Sequence, residues 1–420
     1  MSDSARKVAA PRGTHDVLPV DGALRERVFD TARALFSVHA YRPIVTPTFE
    51  DTDVFVRGVG TSTDIVRKEM YTFTDQGGRS LTLRPEGTAP VVRAFVQHGM
   101  HKLQLPVKFW YFAPMFRQEA PQKGRFREHY QLGAEVIGSD SPLVDIEVIG
   151  MLAELYRQLE IPGVALRVSS MGDEESRAAH RDALLPYLDS HASGLGEDAR
   201  ERARENPLRL FDSKDPSVRA VMENAPRLVE HLSEEAAAHH SAVLGGLDRM
   251  GVEYVEDPTL VRGMDYYTKT VFEFECSSLG AQSAIGGGGR YNGLVEMLGG
   301  PPTPGVGFGA GIERIMLAIQ SASEAPEPGA LDLYVAILDD DLRIELLPLL
   351  ADLRGAGMRV ETDLRGRGLK AMMKHASTLG AKRTAIIGRR DYEEGIATVR
   401  DMESGDQSHV RLDSLVEDLA

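Results

Sequence analysis

The sequence predicts an α+β domain built on a mostly antiparallel sheet, interrupted by a helical insertion and followed by a small α/β domain. Three observations carry that prediction. Lys108 to Gly138 opens with an apolar run, passes through a basic loop containing Pro121 and Gly124, and returns with alternating apolar residues from Tyr130 to Ile137, the pattern of a long hairpin. From about Glu174 to Val252 the composition shifts to Ala, Glu, Arg, His and Leu with few β-branched residues, which favours helices. From Leu331 onward LDLYVAIL, MRVETDL and RTAIIG alternate with helical patterns as βαβαβ, calling for a small parallel or mixed sheet. The expected limits are 1–173 and 255–322 for the two parts of the first domain, 174–254 for the insertion, 323–330 for a Pro/Ser/Ala linker, and 331–420 for the last domain.

The chain has 420 residues, 42% of them hydrophobic, enough for two or three full cores. Its formal net charge of -15 argues against non-specific coating of nucleic acid, while leaving room for a local basic patch. A single cysteine, Cys276, excludes disulfide frameworks and Cys-ligated zinc sites and points to a reducing, cytoplasmic compartment. Apolar residues nowhere run unbroken for the ~20 positions of a membrane span, so no membrane partner is expected.

Taken in order, Pro11 to Pro19 reads as an ordered loop and Gly22 to His39 as a helix burying Leu24, Val28, Ala32, Leu35 and Phe36, which recur at helical spacing. Tyr41 to Asp51 is extended, and Pro43 and Pro47 place it at a sheet edge or a subunit boundary. Residues 70–73 and 81–84 make a second hairpin, and Arg84-Pro85-Glu86-Gly87-Thr88 runs into a helix from about Ala89, with Thr88 as a natural cap. Ser141 to Leu159 is a helix with Val144, Ile146, Val148, Ile149, Leu152 and Leu155 inward, and Val164 to Ser169 is a strand. After the insertion the strand signal resumes at Leu260, and Gly286 to Gly289 permits a tight return and close approach of backbone to a ligand. In the last domain Leu342, Leu346, Leu350 and Leu353 mark the inner face of one helix.

The candidate chemistry begins on the hairpin. Side chains two apart share a strand face, which groups Arg117 with Glu119 and Gln131 with Gly133 and Glu135. Lys123, Arg125 and Arg127 in the loop form a cationic cap suited to polyphosphate, although a solvated polar face accounts for the same pattern. Gly305 to Gly311 is a glycine-rich strand feeding a helix whose first turn holds Glu313 and Arg314, either as a surface pair or at an anion site. Neither a G-x-x-x-x-G-K-[ST] loop nor a strand-GxGxxG-helix unit occurs, which disfavours two common nucleotide folds. Between Leu364 and Arg390 the chain carries eight Lys or Arg and no Asp or Glu, a candidate RNA contact that competes with a solvated helix face.

Arg117-Gln118-Glu119 with Arg125, Pro47 upstream, and Gly309-Ala310-Gly311-Ile312-Glu313-Arg314 downstream together resemble the three signature motifs of class II aminoacyl-tRNA synthetases. Arg262-Gly263-Met264-Asp265-Tyr266-Tyr267, Gly288-Gly289-Arg290-Tyr291, PRGTHDVLP and LRPEGTAPVVRAF resemble the histidyl-tRNA synthetase branch, over essentially the whole chain. The resemblance implies a class II catalytic domain, a C-terminal anticodon-binding α/β domain and a homodimer formed through the Pro47 region. It implies that L-histidine is activated with ATP and passed to tRNA(His), with Mg²⁺ carried on the nucleotide and no protein-ligated metal. By the same resemblance Arg117 and Arg262 serve catalysis at the α-phosphate and carboxylate. Glu86, Gly87, Thr88, Gln131, Glu135, Tyr266 and Tyr267 bind histidine, with Glu135 and Tyr267 on the imidazole. Arg117, Glu119, Arg125, His129 and Arg314 bind ATP, and Arg365, Arg367, Lys370, Lys374, Arg389 and Arg390 meet tRNA.

Two positions depart from the pattern. His129 stands where the family usually has a phenylalanine that stacks on adenine, and Ala120 where an arginine is common. Asn292 for Asp and Met264 for Leu are smaller changes. A regulatory subunit of ATP phosphoribosyltransferase resembles the same catalytic fold, but such subunits lack the C-terminal domain and parts of the activation motifs, both of which are present here.

Overall fold

The computed structural model describes residues 8–61, 63–122, 124–213, 215–280, 283–322 and 331–419. Lys123 and the expected linker at 323–330 lie outside the described residues. The chain divides into two compact units, 1–325 and 326–420.

The first unit contains β1 (Arg42–Pro43), β2 (Phe49–Asp51), β3 (Tyr71–Thr74), β4 (Ser80–Leu83), β5 (Val107–Phe116) and β6 (Glu128–Ile137). It continues with β7 (Val164–Ser170), β8 (Val255–Glu256), β9 (Thr268–Cys276), β10 (Ala284–Arg290) and β11 (Gly305–Gly311). Eight of these form one sheet in the order β1-β5-β6-β11-β10-β9-β7-β8, antiparallel except for the pairs at its two edges. The predicted hairpin is β5–β6, in register from Val107 opposite Ile137 to Phe116 opposite Glu128. Pro43 lies in the edge strand, where its missing N–H costs no ladder bond. Strands β2, β4 and β3 make a separate three-stranded sheet.

Strand alternation divides the core. Trp110, Leu132, Ala134, Phe272, Phe274 and Phe308 join one cluster with the helices Pro19–Val38, Pro142–Gln158 and Ile312–Gln320. Their neighbours Tyr111, Ala113 and Met115 face the other way, into a cluster with Val91, Phe95, Tyr266, Tyr267 and Tyr291. The residues expected inside the first and second of these helices are all buried.

Between β7 and β8 the chain is helical, with helices Glu174–Ser190, Glu197–Glu205, Pro216–Met222 and Glu234–Met250. Leu184, Leu188, Leu210, Val218 and Met222 form its own small core. The last helix returns Val243 and Leu247 to the main core, lying so close to Ile146 that a Cβ on Gly246 would overlap it.

Four local expectations in this unit need correction. β5 ends at Phe116, so Arg117 and Glu119 stand on the loop beyond it, held by Arg117 N–H to Arg127 O at 2.9 Å and Gln118 N–H to Glu69 O at 2.7 Å. The strand read from Leu260 begins only at Thr268, because residues 260–267 cross away from the sheet and Asp265 N–H bonds Val59 O at 3.2 Å instead of a ladder partner. Gly286 to Gly289 is no tight return but the strand between β9 and β11, where a Cβ on Gly288 would overlap the Gly307 carbonyl. Thr88 is the first residue of its helix rather than the cap; the Glu86 carboxylate accepts from Thr88 N at 2.7 Å and Ala89 N at 2.8 Å.

Arg290, in β10, is fully buried, and its guanidinium is bound by Asp145 and by the carbonyls of Ser139 and Ser141. A buried charge needs such partners. Asn292 donates from Nδ2 to Asp140 Oδ1 at 2.9 Å, a bond an Asp there could not make.

The second unit contains β12 (Leu333–Ile337), β13 (Val360–Thr362), β14 (Arg383–Ile387), β15 (Ile396–Asp401) and β16 (Gln407–Arg411), ordered β13-β12-β14-β15-β16. β12 is parallel to β13 and β14, while β15 and β16 add an antiparallel edge that extends past the predicted repeat. Leu342, Leu346, Leu350 and Leu353 are buried as their spacing requires. Their single predicted helix is two, Leu342–Glu345 and Leu347–Gly355, because Pro348 has no N–H for an unbroken helix.

Candidate active site

On the sheet face opposite the three core helices lies a cavity of about 310 Å³. All the residues expected at histidine and ATP line it except Glu135. Strand β6 supplies His129 and Gln131, the loop after β5 supplies Arg117, Glu119 and Arg125, and the start of the helix Thr88–Gln97 supplies Thr88. The 260–267 segment contributes Arg262, Tyr266 and Tyr267, and the first turn after β11 contributes Arg314. Glycines 287, 309 and 311 leave the floor bare, and a Cβ on Gly287 would come within 3.0 Å of Arg262 Nη1.

One end of the cavity is built from acids and phenols. Glu135 sits beneath the lining, fully buried, accepting from Thr88 Oγ1 at 2.8 Å and from Tyr291 OH at 2.6 Å. Burial raises its pKa to about 8 despite those two donors. Burial also raises Glu86, opposed by the N–H groups of Ala89 and Thr88 and by Arg117. The Tyr266 and Tyr267 rings stand 4.8 Å apart, both buried.

The other end is cationic. Arg117 donates from Nε to Pro85 O at 2.8 Å, and Arg125 Nη1 lies 3.3 Å from Glu119 Oε2. Arg314 donates from Nε to Ala284 O at 2.5 Å, while its buried Nη2 has no partner. The surface pairing considered for Arg314 is absent, because Glu313 turns inward to accept from Tyr130 N at 2.9 Å. Arg262 is ion-paired with Glu273, with its buried Nε free of a partner. Four guanidinium groups lining one cavity, two of them with an N–H not yet bonded, suit phosphate oxygens. His129, beside these arginines, is held neutral: burial, then Arg117, lowers its pKa to about 3.

A second cleft of about 830 Å³ adjoins the first and shares Arg125, Arg262, Gly263, Glu273 and Ala284 with it. Its far wall includes Asn206 and Arg209 from the helical segment. Tyr111 and Glu273 line the main cavity without having been singled out from the sequence. Glu273 had a signal, since it alternates with Phe272 and Phe274 along β9. Tyr111 had none, because its place is fixed by Gly87 and Gly133, where a Cβ would overlap its ring.

In the C-terminal unit Arg365, Lys370, Lys374 and Arg390 are exposed and Arg367 and Arg389 half-buried. Arg367 is paired with Asp363, Arg389 with Asp341 and Arg390 with Glu394, whereas Arg365, Lys370 and Lys374 carry no ion pair among the described residues.

A mostly antiparallel sheet bearing this arginine-lined cavity, joined to a separate mixed-sheet unit, is the architecture of a class II aminoacyl-tRNA synthetase with a C-terminal anticodon-binding domain. The family model for histidyl-tRNA synthetase matches residues 13–315, and that for an anticodon binding domain matches residues 332–420. A histidine–tRNA ligase of Rubrobacter xylanophilus is 48% identical, covering 95% of this chain and 96% of the relative, and one of Halothermothrix orenii is 44% identical over 98% and 99%. The crystal structure of apo S. aureus histidyl-tRNA synthetase superposes with a TM-score of 0.84 at 36% identity, covering 98% of this chain and 100% of that one. The chain belongs to the histidyl-tRNA synthetase family, and its activity is histidine–tRNA ligation.

Proposed function

We propose that both steps of that ligation centre on the cavity between Thr88 and Arg314. In the first, a carboxylate oxygen of L-histidine attacks the α-phosphorus of ATP, an O–P bond forms, and pyrophosphate leaves. The attacking carboxylate is already ionised, so positioning and charge stabilisation suffice and no general base is needed. Arg117 and Arg262, on separate segments of the wall, take the α-phosphate and the carboxylate. Arg125 and Arg314 hold the γ-phosphate end, Glu119 faces the adenine amino group, and His129 offers a neutral imidazole against the base. Mg²⁺ arrives on the phosphates as part of the substrate.

Histidine recognition falls to the other end. A neutral imidazole carries one donor and one acceptor, which a carboxyl and a phenol answer together. Tyr267 on the wall and Glu135 immediately beneath the lining take this role, the ring reaching Glu135 past the Thr88 hydroxyl that with Tyr291 holds it, while Glu86, Gly87, Thr88, Gln131 and Tyr266 surround the ammonium and carboxylate. Apolar analogues would leave these groups unpaired, which gives selectivity without an editing site. In the second step the terminal ribose hydroxyl of tRNA(His) attacks the carbonyl carbon and AMP leaves, with the C-terminal domain on the anticodon.

The observation that carries this reading is one cavity with buried acids and phenols at one end and four arginines at the other. Purified protein should exchange pyrophosphate into ATP only when histidine is present; no exchange by folded protein would sink the assignment.

The same reading includes a homodimer, supported by the exposed Phe49 and Phe73 rings in edge contact at 6.1 Å on the β2-β4-β3 sheet near Pro47. Sedimentation tests it. It also includes a cytoplasmic setting, in keeping with the lone, buried Cys276. No helix among the described residues is long and apolar enough to cross a membrane. The domain limits 1–173, 174–254, 255–322 and 331–420 are kept as working boundaries for the catalytic parts, the insertion and the anticodon-binding domain.

A further inference from the structure

The segment 260–267, which carries Arg262, Tyr266 and Tyr267, lies outside regular secondary structure. Ladder bonds therefore do not hold it, and its position has to come from elsewhere. Asp265 supplies the attachment. Its Oδ1 accepts from Arg209 Nη2 at 2.8 Å and from Asn206 Nδ2 at 3.2 Å, both from the helical segment more than fifty residues earlier. Its backbone N–H bonds Val59 O at 3.2 Å. Gly60, at φ +100, leaves open the space its carboxylate fills, since a Cβ there would overlap Oδ2. Two distant stretches, 206–209 at the carboxylate and 59–60 at the backbone N–H and beside the carboxylate, thus converge on Asp265, between the two residues that reach the phosphate and histidine ends of the cavity.

An exposed ion pair contributes little. This one is largely sheltered, with the Arg209 and Asp265 side chains 19% and 27% exposed, and it is reinforced by Asn206. Arg209 also lies 4.0 Å from where a Cβ of Gly263 would stand, so it abuts the residue next to Arg262.

We propose that Arg209 is a positioning residue for histidine activation: with Asn206 it fixes Asp265, and through it the segment that presents Arg262 and Tyr267 to the substrates. Arg209 touches neither substrate. Its effect passes through the geometry of this segment, which makes the helical region part of the activation site. The inference rests on the activity reading above and is tested separately from it.

The test measures histidine-dependent ATP–pyrophosphate exchange in the full-length protein for Arg209→Met, Arg209→Lys, Asp265→Asn and the Arg209→Met/Asp265→Asn double variant, with active sites titrated. Arg209→Met should lower kcat/KM for histidine roughly tenfold or more with the KM for ATP within about twofold, and Arg209→Lys should recover most of the loss. The double variant should be no worse than the worse single one, because both remove one link. Amide hydrogen exchange gives a readout independent of activity: Arg209→Met should speed exchange in 262–267 and leave β5 and β6 unchanged. Wild-type kinetics and protection in Arg209→Met, multiplicative losses in the double variant, or fewer active sites at unaltered KM would each overturn the proposal. Absence of exchange in the unsubstituted protein overturns the activity reading instead, and the hydrogen-exchange comparison still decides the link.

Discussion

Thr88 Oγ1 donates to Glu135 Oε1 at 2.8 Å across 47 residues of sequence, joining the first turn of a helix to the strand beneath the cavity. Thr88 lines the cavity and Glu135 does not, so the hydroxyl connects the surface a ligand meets to the buried carboxyl behind it. Thr88→Val keeps the shape and deletes this donor. Stability should fall by about 1–3 kcal/mol, the cost of leaving a buried acceptor short of a partner, and the KM for histidine should rise about tenfold. Denaturant unfolding and exchange kinetics read the two effects. A stability loss at unchanged KM would confine Thr88 to the fold.

The pH dependence of stability follows from the same carboxyl. Native Glu135 keeps its proton up to about 8, whereas the unfolded chain loses it near 4.5. Between those values the native state binds more protons, so this group's contribution to stability falls as pH rises. Glu135→Gln removes the titration. The difference in Tm between Glu135→Gln and the unsubstituted protein should therefore become more favourable to the variant from pH 5.5 to pH 8.5. A difference that stays flat or moves the other way would show that the carboxyl is ionised throughout.

The sequence disclosed these two residues unequally, for a physical reason. Period-2 alternation placed Gln131, Gly133 and Glu135 on one face of β6, but alternation gives a face and not a depth. Only the sheet shows Gln131 on the cavity wall and Glu135 under it. Residues 260–267 read as strand because Leu260, Val261, Tyr266 and Tyr267 have strand-like character. What draws them off the sheet is Asp265 meeting Val59, Asn206 and Arg209, contacts with no local trace. The four arginines were legible as a set, since the hairpin motif carried Arg117 and Arg125 and two further motifs carried Arg262 and Arg314.

Arg262 faces Glu273, and this pairing bears on its role. Bound phosphate would compete with Glu273 for the guanidinium, so the interaction with substrate strengthens as charge grows on phosphorus. Arg262→His should lower the rate of adenylate formation by about 100-fold or more while histidine affinity changes little, the pattern for a contact made chiefly in the transition state. Single-turnover adenylate formation and equilibrium histidine binding separate the terms. A large affinity loss at near-normal turnover would assign Arg262 to ground-state binding.

The C-terminal cations can be sorted by what already holds them. Arg367, Arg389 and Arg390 are each paired with a carboxylate, and a phosphate would have to displace it. Arg365, Lys370 and Lys374 are exposed and carry no ion pair among the described residues, so their charge is available to RNA at no such cost. Each phosphate contact releases counterions, which makes binding weaken with salt in proportion to the number of contacts. Replacing Arg365, Lys370 and Lys374 together by Glu should raise the KM for tRNA about tenfold or more and flatten its salt dependence, with pyrophosphate exchange unchanged. Changing Arg390→Glu alone should do less, because its partner Glu394 already offsets the charge. Equal losses in exchange and aminoacylation would mean that the patch supports the fold, and no loss in either would leave the eight-cation run as a solvated surface.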